Sequence, residues 1–237
     1  MHRSIEWFRT TLTLVFLLAA CLGVAVRHCD AASGDSDVID LPAPRPIGHL
    51  TVEEALKARR SVRSYAERAV TLDDLSRLLW AAQGETSSWG GRAAPSAGAL
   101  FPMEMIVVAG DVSGLEPGVY RYTSGDHTLT RILAGDRREA VAGAALGQAC
   151  LEEAPVVLAL SAVYRRTMKK YGDRGIRYAH MEAGAVCENI YLQAVSLGLG
   201  TVLVGAFYDD DISEALLLGS NETPLALMPV GYAGTGD

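Results

Sequence analysis

Residues 170–207 read KYGDRGIRYAHMEAGAVCENIYLQAVSLGLGTVLVGAF, and the reading of the fold turns on them. Ala179, Ala183, Val186, Ile190, Ala194 and Leu197 recur at three- and four-residue intervals, which predicts a helix over 177–197. Its other faces carry Ala185, Leu192 and Val195, so little of the surface is polar. A helix that is apolar nearly all round is buried, in a core or against another subunit. Gly198 closes it, because glycine takes the left-handed conformation past a helix end most easily. The β-branched run 201–204 then predicts an interior strand. Gly205 and Ala206 follow at its tip, where a flat ligand can approach the backbone. Ahead of the helix stand Lys169, Lys170, Tyr171, Asp173, Arg174, Arg177 and Tyr178, too polar a group for a core.

The whole chain has 237 residues, 49% hydrophobic and 21% charged, which suits one large globular domain or two small ones. A net charge of −7 without any basic block argues against nucleic acid as a partner. The four cysteines lack the paired spacing of a metal site, so no metal is expected. Cys150 and Cys187 are either two buried thiols or, in an exported protein, a disulfide.

Residues 1–31 resemble a targeting segment. Arg3 and Arg9 precede a nearly uninterrupted apolar run over 11–26, and Cys29-Asp30-Ala31 offers small residues for cleavage after Ala31. Leu18-Ala19-Ala20-Cys21 also resembles a lipobox, which would place a lipid on Cys21. An uncleaved membrane anchor and a start codon further downstream remain open beside these. The expectation is an exported or membrane-tethered protein of the cell envelope, or a cytoplasmic one if translation starts later. Residues 32–48 hold three prolines and no helical period, and read as an extended surface linker to a domain at 49–237.

That domain opens with a capping box, Thr51 with Glu54, and a helix running to Arg59. Arg59-Arg60-Ser61-Val62-Arg63-Ser64-Tyr65 packs three arginines and two serines together. Such a cluster either meets an anion, since guanidinium forks and hydroxyls match phosphate oxygens, or is a solvated helix end. A second helix spans 72–83, with Leu75, Leu78, Leu79 and Ala82 on one face. The loop 85–99 is rich in Ser, Gly and Pro, and a long loop of small residues in a compact domain is usually functional. Strands are predicted at 104–109 and 155–162, a hairpin at 118–122 and 128–132, a helix at 137–151, another at 211–218 and a last strand at 225–230. Helices and strands mix without strict alternation, which predicts an α+β fold with a mixed or antiparallel sheet flanked by helices. No dinucleotide fingerprint, phosphate loop or HExxH motif occurs, and His180 on the central helix reads as a hydrogen-bonded core histidine. Ala94-x-Ser96-x-Gly98 lacks the strand–turn–helix setting of a hydrolase nucleophile.

Taken together, the motifs resemble a known family. The segment 59–65 resembles the opening motif of the nitroreductase family, and Pro95-Ser96-Ala97-Gly98-Ala99-Leu100-Phe101-Pro102 its second flavin motif in the form of SagB/ThcOx-type dehydrogenases. Lys170-Tyr171-Gly172, with Arg174, Arg177 and Tyr178, resembles the same subgroup, and the likeness covers roughly residues 50–232. Where nitroreductases proper usually carry Asn and Gln in the second motif, this chain has Ala99 and Phe101. The resemblance implies an FMN-dependent oxidoreductase, a homodimer with flavins at the subunit interface and the central helix in that interface. It implies that Arg59, Ser61 and Arg63 hold FMN, that Pro95, Ser96 and Gly98 pack on it from the partner subunit, and that Gly205 and Ala206 lie against its ring. Lys170 and Tyr171 carry over as the catalytic pair, or else they only shape a surface loop. Azoline-to-azole oxidation of modified peptides is the implied reaction. The alternatives are an NAD(P)H-dependent reductase of nitro compounds or quinones, and a non-catalytic flavin-binding envelope protein.

Overall fold

The computed structural model describes residues 38–44 and 50–234. The leader at 1–31 and part of the predicted linker lie outside the described residues. The sheet has seven strands, all antiparallel, in the order β1-β6-β5-β3-β7-β9-β8. These are β1 Val38–Asp40, β3 Met103–Ala109, β5 Gly118–Thr123, β6 Thr128–Ala134, β7 Val156–Ala162, β8 Leu199–Thr201 and β9 Thr223–Tyr232. A separate parallel pair, β2 Val70–Thr71 with β4 Val112–Ser113, was not foreseen, since two residues carry no period.

Helices cover both faces. On one side α2 (Leu72–Gln83) and α6 (Arg174–Ser196) pack Leu75, Leu78, Leu79, Ala183, Val186 and Ile190 against Met105, Val107, Leu158 and Leu160. On the other, α3 (Arg138–Ala144), α4 (Ala149–Glu153) and α7 (Asp209–Ala215) pack Val141, Leu151 and Ile212 against Ile106, Val108, Val157 and Leu227. The alternation of side chains along β3 and β7 divides their residues between the two cores, which is why these strands read as continuous apolar runs. Each fully buried Leu or Ile contributes about 1.5–3 kcal/mol relative to exposure.

Helix α1 (Val52–Ala58) starts at the expected capping box, with Thr51 and Glu54 each accepting from the other's backbone N–H. Helix α2 has the predicted bounds. Elsewhere the structure corrects the sequence. The helix expected over 137–151 is two helices, because Leu146 and Gly147 turn left-handed (φ 62° and 71°) after α3. The strand expected inside the sheet at 201–204 is β8, three residues on its edge. Its outer side is sealed not by a strand but by the arginine-rich segment: Val62 N–H donates to Thr201 O at 2.9 Å. The polar group before the central helix is itself helical, forming α5 (Tyr164–Tyr171) and the first turn of α6. Residues 38–40, read as linker, pair with β6. Cys150 and Cys187 are free buried thiols in separate cores on the two faces of the sheet. Burial pushes the Cys187 thiol up to about 12. The central helix is not buried all round in one chain: Met181 is 63% exposed and Leu192 and Val195 are half-buried.

His127 ties β1 to the rest. Tyr122 Oη donates to its Nδ1 at 2.8 Å, its Nε2 faces Ser76 Oγ at 2.8 Å and Pro42 O at 3.2 Å, and Ser76 Oγ donates to Pro42 O. This network holds a neutral ring with its proton on Nε2. Burial lowers the pKa of His127, against the favourable carbonyl of Pro42. The unfolded chain therefore binds the proton more readily, and the stability held by neutral His127 is lost as pH falls below the ordinary value toward the lowered one. Thermal unfolding at about pH 7.5 and about pH 5.5 is expected to show a larger drop for the wild type than for His127→Gln, which cannot titrate. Equal drops would remove His127 from the acid sensitivity.

Candidate active site

The arginine-rich segment leaves α1 at Arg59, the helix C-cap. The Arg59 guanidinium lies over the Tyr191 ring, 5.1 Å from its centroid. Tyr191 Oη accepts from Leu203 N–H at 2.8 Å and lies 3.2 Å from Ser61 Oγ. One tyrosine of α6 thus positions Arg59, Ser61 and the start of the 203–206 loop. Tyr65 fixes the segment from behind, with its hydroxyl shared between the carbonyls of Val62 (2.8 Å) and Pro229 (3.0 Å). Thr201 Oγ1 is buried in the same place with no hydrogen-bond partner. The Ala206 carbonyl accepts from Gln148 Nε2 at 3.0 Å. Two residues on, burial raises the pKa of the Cys150 thiol while the nearby charge of Arg63 opposes that rise. Gln148 and Cys150, at the start of α4, therefore bring Arg63 and Ala206 to one side of the molecule. Gly205 and Ala206 present an exposed backbone, and only Leu203 Cδ2, at 4.0 Å, stands near the position of a Cβ on Gly205.

A second group forms around the loop carrying Pro95, Ser96 and Gly98. Gly98, Ala99 and Phe101 all have left-handed φ (65°, 54° and 44°), a conformation that costs a non-glycine residue of order 1–2 kcal/mol. The surroundings impose it. Phe101 N–H donates to Ser96 Oγ at 2.9 Å, Arg166 Nη1 donates to Phe101 O at 2.8 Å, and the Arg92 guanidinium lies 4.5 Å from the Phe101 ring centroid. Arg166 is itself paired with Glu104. Lys170 and Tyr171, at the end of α5, meet this loop at Gly98. A Cβ there would fall 2.6 Å from Tyr171 Oη and 2.9 Å from Lys170 Nζ. Tyr171 stands edge-on to Tyr178 at 5.1 Å.

Beneath the loop lies Glu182 of α6, only 3% exposed. Neither carboxyl oxygen has a hydrogen-bond partner of ordinary geometry. Burial pushes its pKa up to about 7, while the Ser96 hydroxyl and the Arg92 charge favour the ionised form. Glu182 and Tyr191 were missed by sequence reasoning. The available signal was a carboxylate at 182 within the apolar stripe 179, 183, 186. His180, expected in the core, is exposed and hydrogen-bonded at Nε2 to Tyr164 Oη (2.6 Å).

The structure thus brings Arg59 and Ser61 together around Tyr191, puts the Ala206 carbonyl on Gln148 at the start of α4, whose Cys150 feels the charge of Arg63, and brings the loop of Pro95, Ser96 and Gly98 to Lys170 and Tyr171 at Gly98. It does not bring the two groups to each other within one chain. Their anchors on α6, Tyr191 and Glu182, are about 13 Å apart at roughly 1.5 Å per residue.

Residues 56–232 match the model of the nitroreductase family. The chain belongs to the nitroreductase family. It is accordingly an FMN-dependent oxidoreductase. A protein of Methanocaldococcus jannaschii that bears a provisional nitroreductase name is 49% identical over 198 residues, covering 84% of this chain and 98% of that one. A crystal structure from Ralstonia eutropha JMP134, provisionally named in the same way, superposes with a TM-score of 0.73 at 32% identity, over 84% of this chain and 90% of its own. A chain of the Escherichia coli microcin synthetase McbBCD complex shares the fold (TM-score 0.65, 20% identity, 81% of this chain and 78% of that one).

Gly98→Ala is expected to cost about 1–3 kcal/mol, measured by urea unfolding, chiefly through the left-handed backbone. The ends of Lys170 and Tyr171 are flexible enough to swing aside. A loss below about 0.5 kcal/mol, the usual scatter of a surface change, would mean the loop does not hold this conformation.

Proposed function

We propose that this enzyme is a SagB-type dehydrogenase, which moves hydride between an organic substrate and FMN in a site built from two copies of the chain. The observation that carries it is the convergence of Lys170 Nζ and Tyr171 Oη on Gly98 of the second flavin motif. The residues present suit FMN. Arg59 and Arg63 match a phosphate dianion, Ser61 and the unpaired Thr201 hydroxyl suit polar oxygens, and the exposed Gly205-Ala206 backbone leaves room for a flat ring. When bound, FMN supplies the hydride chemistry.

The chain's own residues do the rest. Lys170 holds or takes the carbon-bound proton of the substrate, with Tyr171 Oη beside it on Gly98. Phe101 forms an apolar wall. The separation of the two groups along α6 supports a composite site, with Ser96 and Gly98 reaching the partner's flavin. The exposed Met181, with Val52 and Leu56 on α1, supports a second copy as the cover of that face. Azolines in modified peptides are the substrate class that the Lys-Tyr pair favours, and the apolar run at 11–26 favours an envelope location.

A second reading, NAD(P)H-driven reduction of nitro compounds or quinones, is favoured by the name of the 49% identical relative. Both readings require bound FMN. The purified protein is expected to be yellow and to release FMN in acid, and Arg59→Ala to weaken FMN binding roughly tenfold or more, the worth of one charge-assisted contact. Colourless, folded protein that takes up no added FMN would overturn both readings. Lys170→Ala is expected to keep FMN but to lose azoline oxidation by about 10²-fold or more. Turnover of menadione with NADH, unaffected by Lys170→Ala, would instead select the reductase.

A further inference from the structure

The ladder between β3 and β5 runs from Ala109–Gly118 to Ile106–Arg121 and stops there, although both strands continue. β3 goes on to Met103 along β7, and β5 to Thr123 along β6. The sheet is therefore split between two of its inner strands. Successive residues of a strand turn their N–H and C=O to opposite neighbours. At least one residue of Met103–Met105 and one of Tyr122–Thr123 thus turns its backbone into the split. A cleft of about 180 Å³ lies there, lined by both strand ends and by Gln83, Arg92 and Ser124. A buried donor without a partner is costly, and two residues of this lining carry one. Gln83, at the end of α2 and 2% exposed, has no partner for Nε2, and Arg92 has none for Nε. Their one link is Arg92 Nη1 donating to Gln83 Oε1 at 2.8 Å. Arg92 forms no ion pair among the described residues, whereas Arg121 is paired with Glu222 (3.0 Å) and Glu104 (3.6 Å), and Arg166 with Glu104. The Glu104 charge on the cleft wall is thus already shared by two arginines, and Glu85 and Glu182 act on Arg92 through charge alone.

We propose that this cleft binds a short-chain carboxylate, held by Arg92 and Gln83 between the parted ends of β3 and β5. The Nε edge of the guanidinium receives the carboxylate, since its fork matches two oxygens, and Gln83 Nε2 donates beside it. A slight turn of the two side chains brings both N–H groups onto the ligand. The alkyl chain lies against Met103 and Met105, whose thioethers adapt to irregular shapes. A dry apolar cavity of about 150 Å³ takes benzene, so a chain of roughly four to six carbons is the size that fits. An amide or alcohol of the same length leaves the Arg92 charge unanswered. Arg92 also carries the Phe101 ring, 4.5 Å from its guanidinium, so the bound acid sits one side chain away from the second flavin motif. The site needs no flavin, and the inference stands apart from the proposed function.

Saturation-transfer NMR of butyrate with the full chain, as purified, tests the site. A Kd of about 1 mM or below is expected, with butyramide and 1-butanol about tenfold weaker or more, the worth of one charge-assisted contact. Gln83→Glu sets a carboxylate where the ligand's would lie and gives Arg92 a partner. It is expected to weaken butyrate binding about tenfold or more while leaving the fold at least as resistant to urea. Thr123→Trp fills the cleft from an exposed position on its lining and is expected to abolish binding. If Thr123→Trp does not fold, Gln83→Glu decides. Arg59→Ala is expected to bind butyrate as the wild type does, since binding at the candidate phosphate site would be lost in it. No binding, equal binding of butyramide, binding unchanged in Gln83→Glu or Thr123→Trp, or binding lost in Arg59→Ala overturns the inference. FMN content measured on the same samples reports separately on the proposed function.

Discussion

Helix α6 has to satisfy two sides at once. One stripe, with Ala179, Ala183, Val186, Ile190 and Ala194, fills the core over the sheet. That same stripe also carries Tyr191, which holds Arg59, Ser61 and Leu203 of the candidate site, and the buried Glu182. Because these residues are fixed by core packing, the polar groups they hold inherit its rigidity. Tyr191 is packed beside Ile190, and Glu182 is buried beside Ala179 and Ala183. The site is placed by the core rather than by the loops that compose it.

Strain supports this division of labour. Three left-handed residues within four positions, Gly98, Ala99 and Phe101, would relax if the loop stood alone. Arg166, Arg92 and Ser96 hold it from three directions, and Arg166 is anchored by Glu104 on β3. Burial, with the nearby charge of Arg166, lowers the Arg92 pKa, while Glu104, Glu85 and Glu182 oppose the shift, and the guanidinium lies against the Phe101 ring. Backbone shape at Gly98 is thus maintained by electrostatics several residues away.

Much of this was legible in the residues, and the exceptions have physical causes. Thr51 with Glu54 announced α1, and the leucines at 75, 78 and 79 gave α2 its bounds, because caps and a 3.6-residue period are local signals. Helix α5 gave no such signal: of Tyr164–Tyr171 only Thr167 is buried, and its outer surface is arginine and lysine. The break at Leu146 was hidden in a run of alanines, which suit a helix whether or not it continues. At the site, the residue types of 59–65 and 95–102 carried the chemistry. The meeting of Gly98 with Lys170 and Tyr171 did not show, since it spans some seventy positions and depends on how α5 returns over the sheet. Nor did the separation of the two groups, which is set by the length of α6.

The margins of the sheet carry a consequence for how copies of this chain can meet. The two outermost strands, β1 and β8, are three residues each, and the free side of β8 is already occupied by Ser61 and Val62. Asp40 adds a charge at the end of the other. At the β8 rim, then, no ladder is left on which a neighbouring chain could continue, and among the described residues the β1 rim offers one of only three residues.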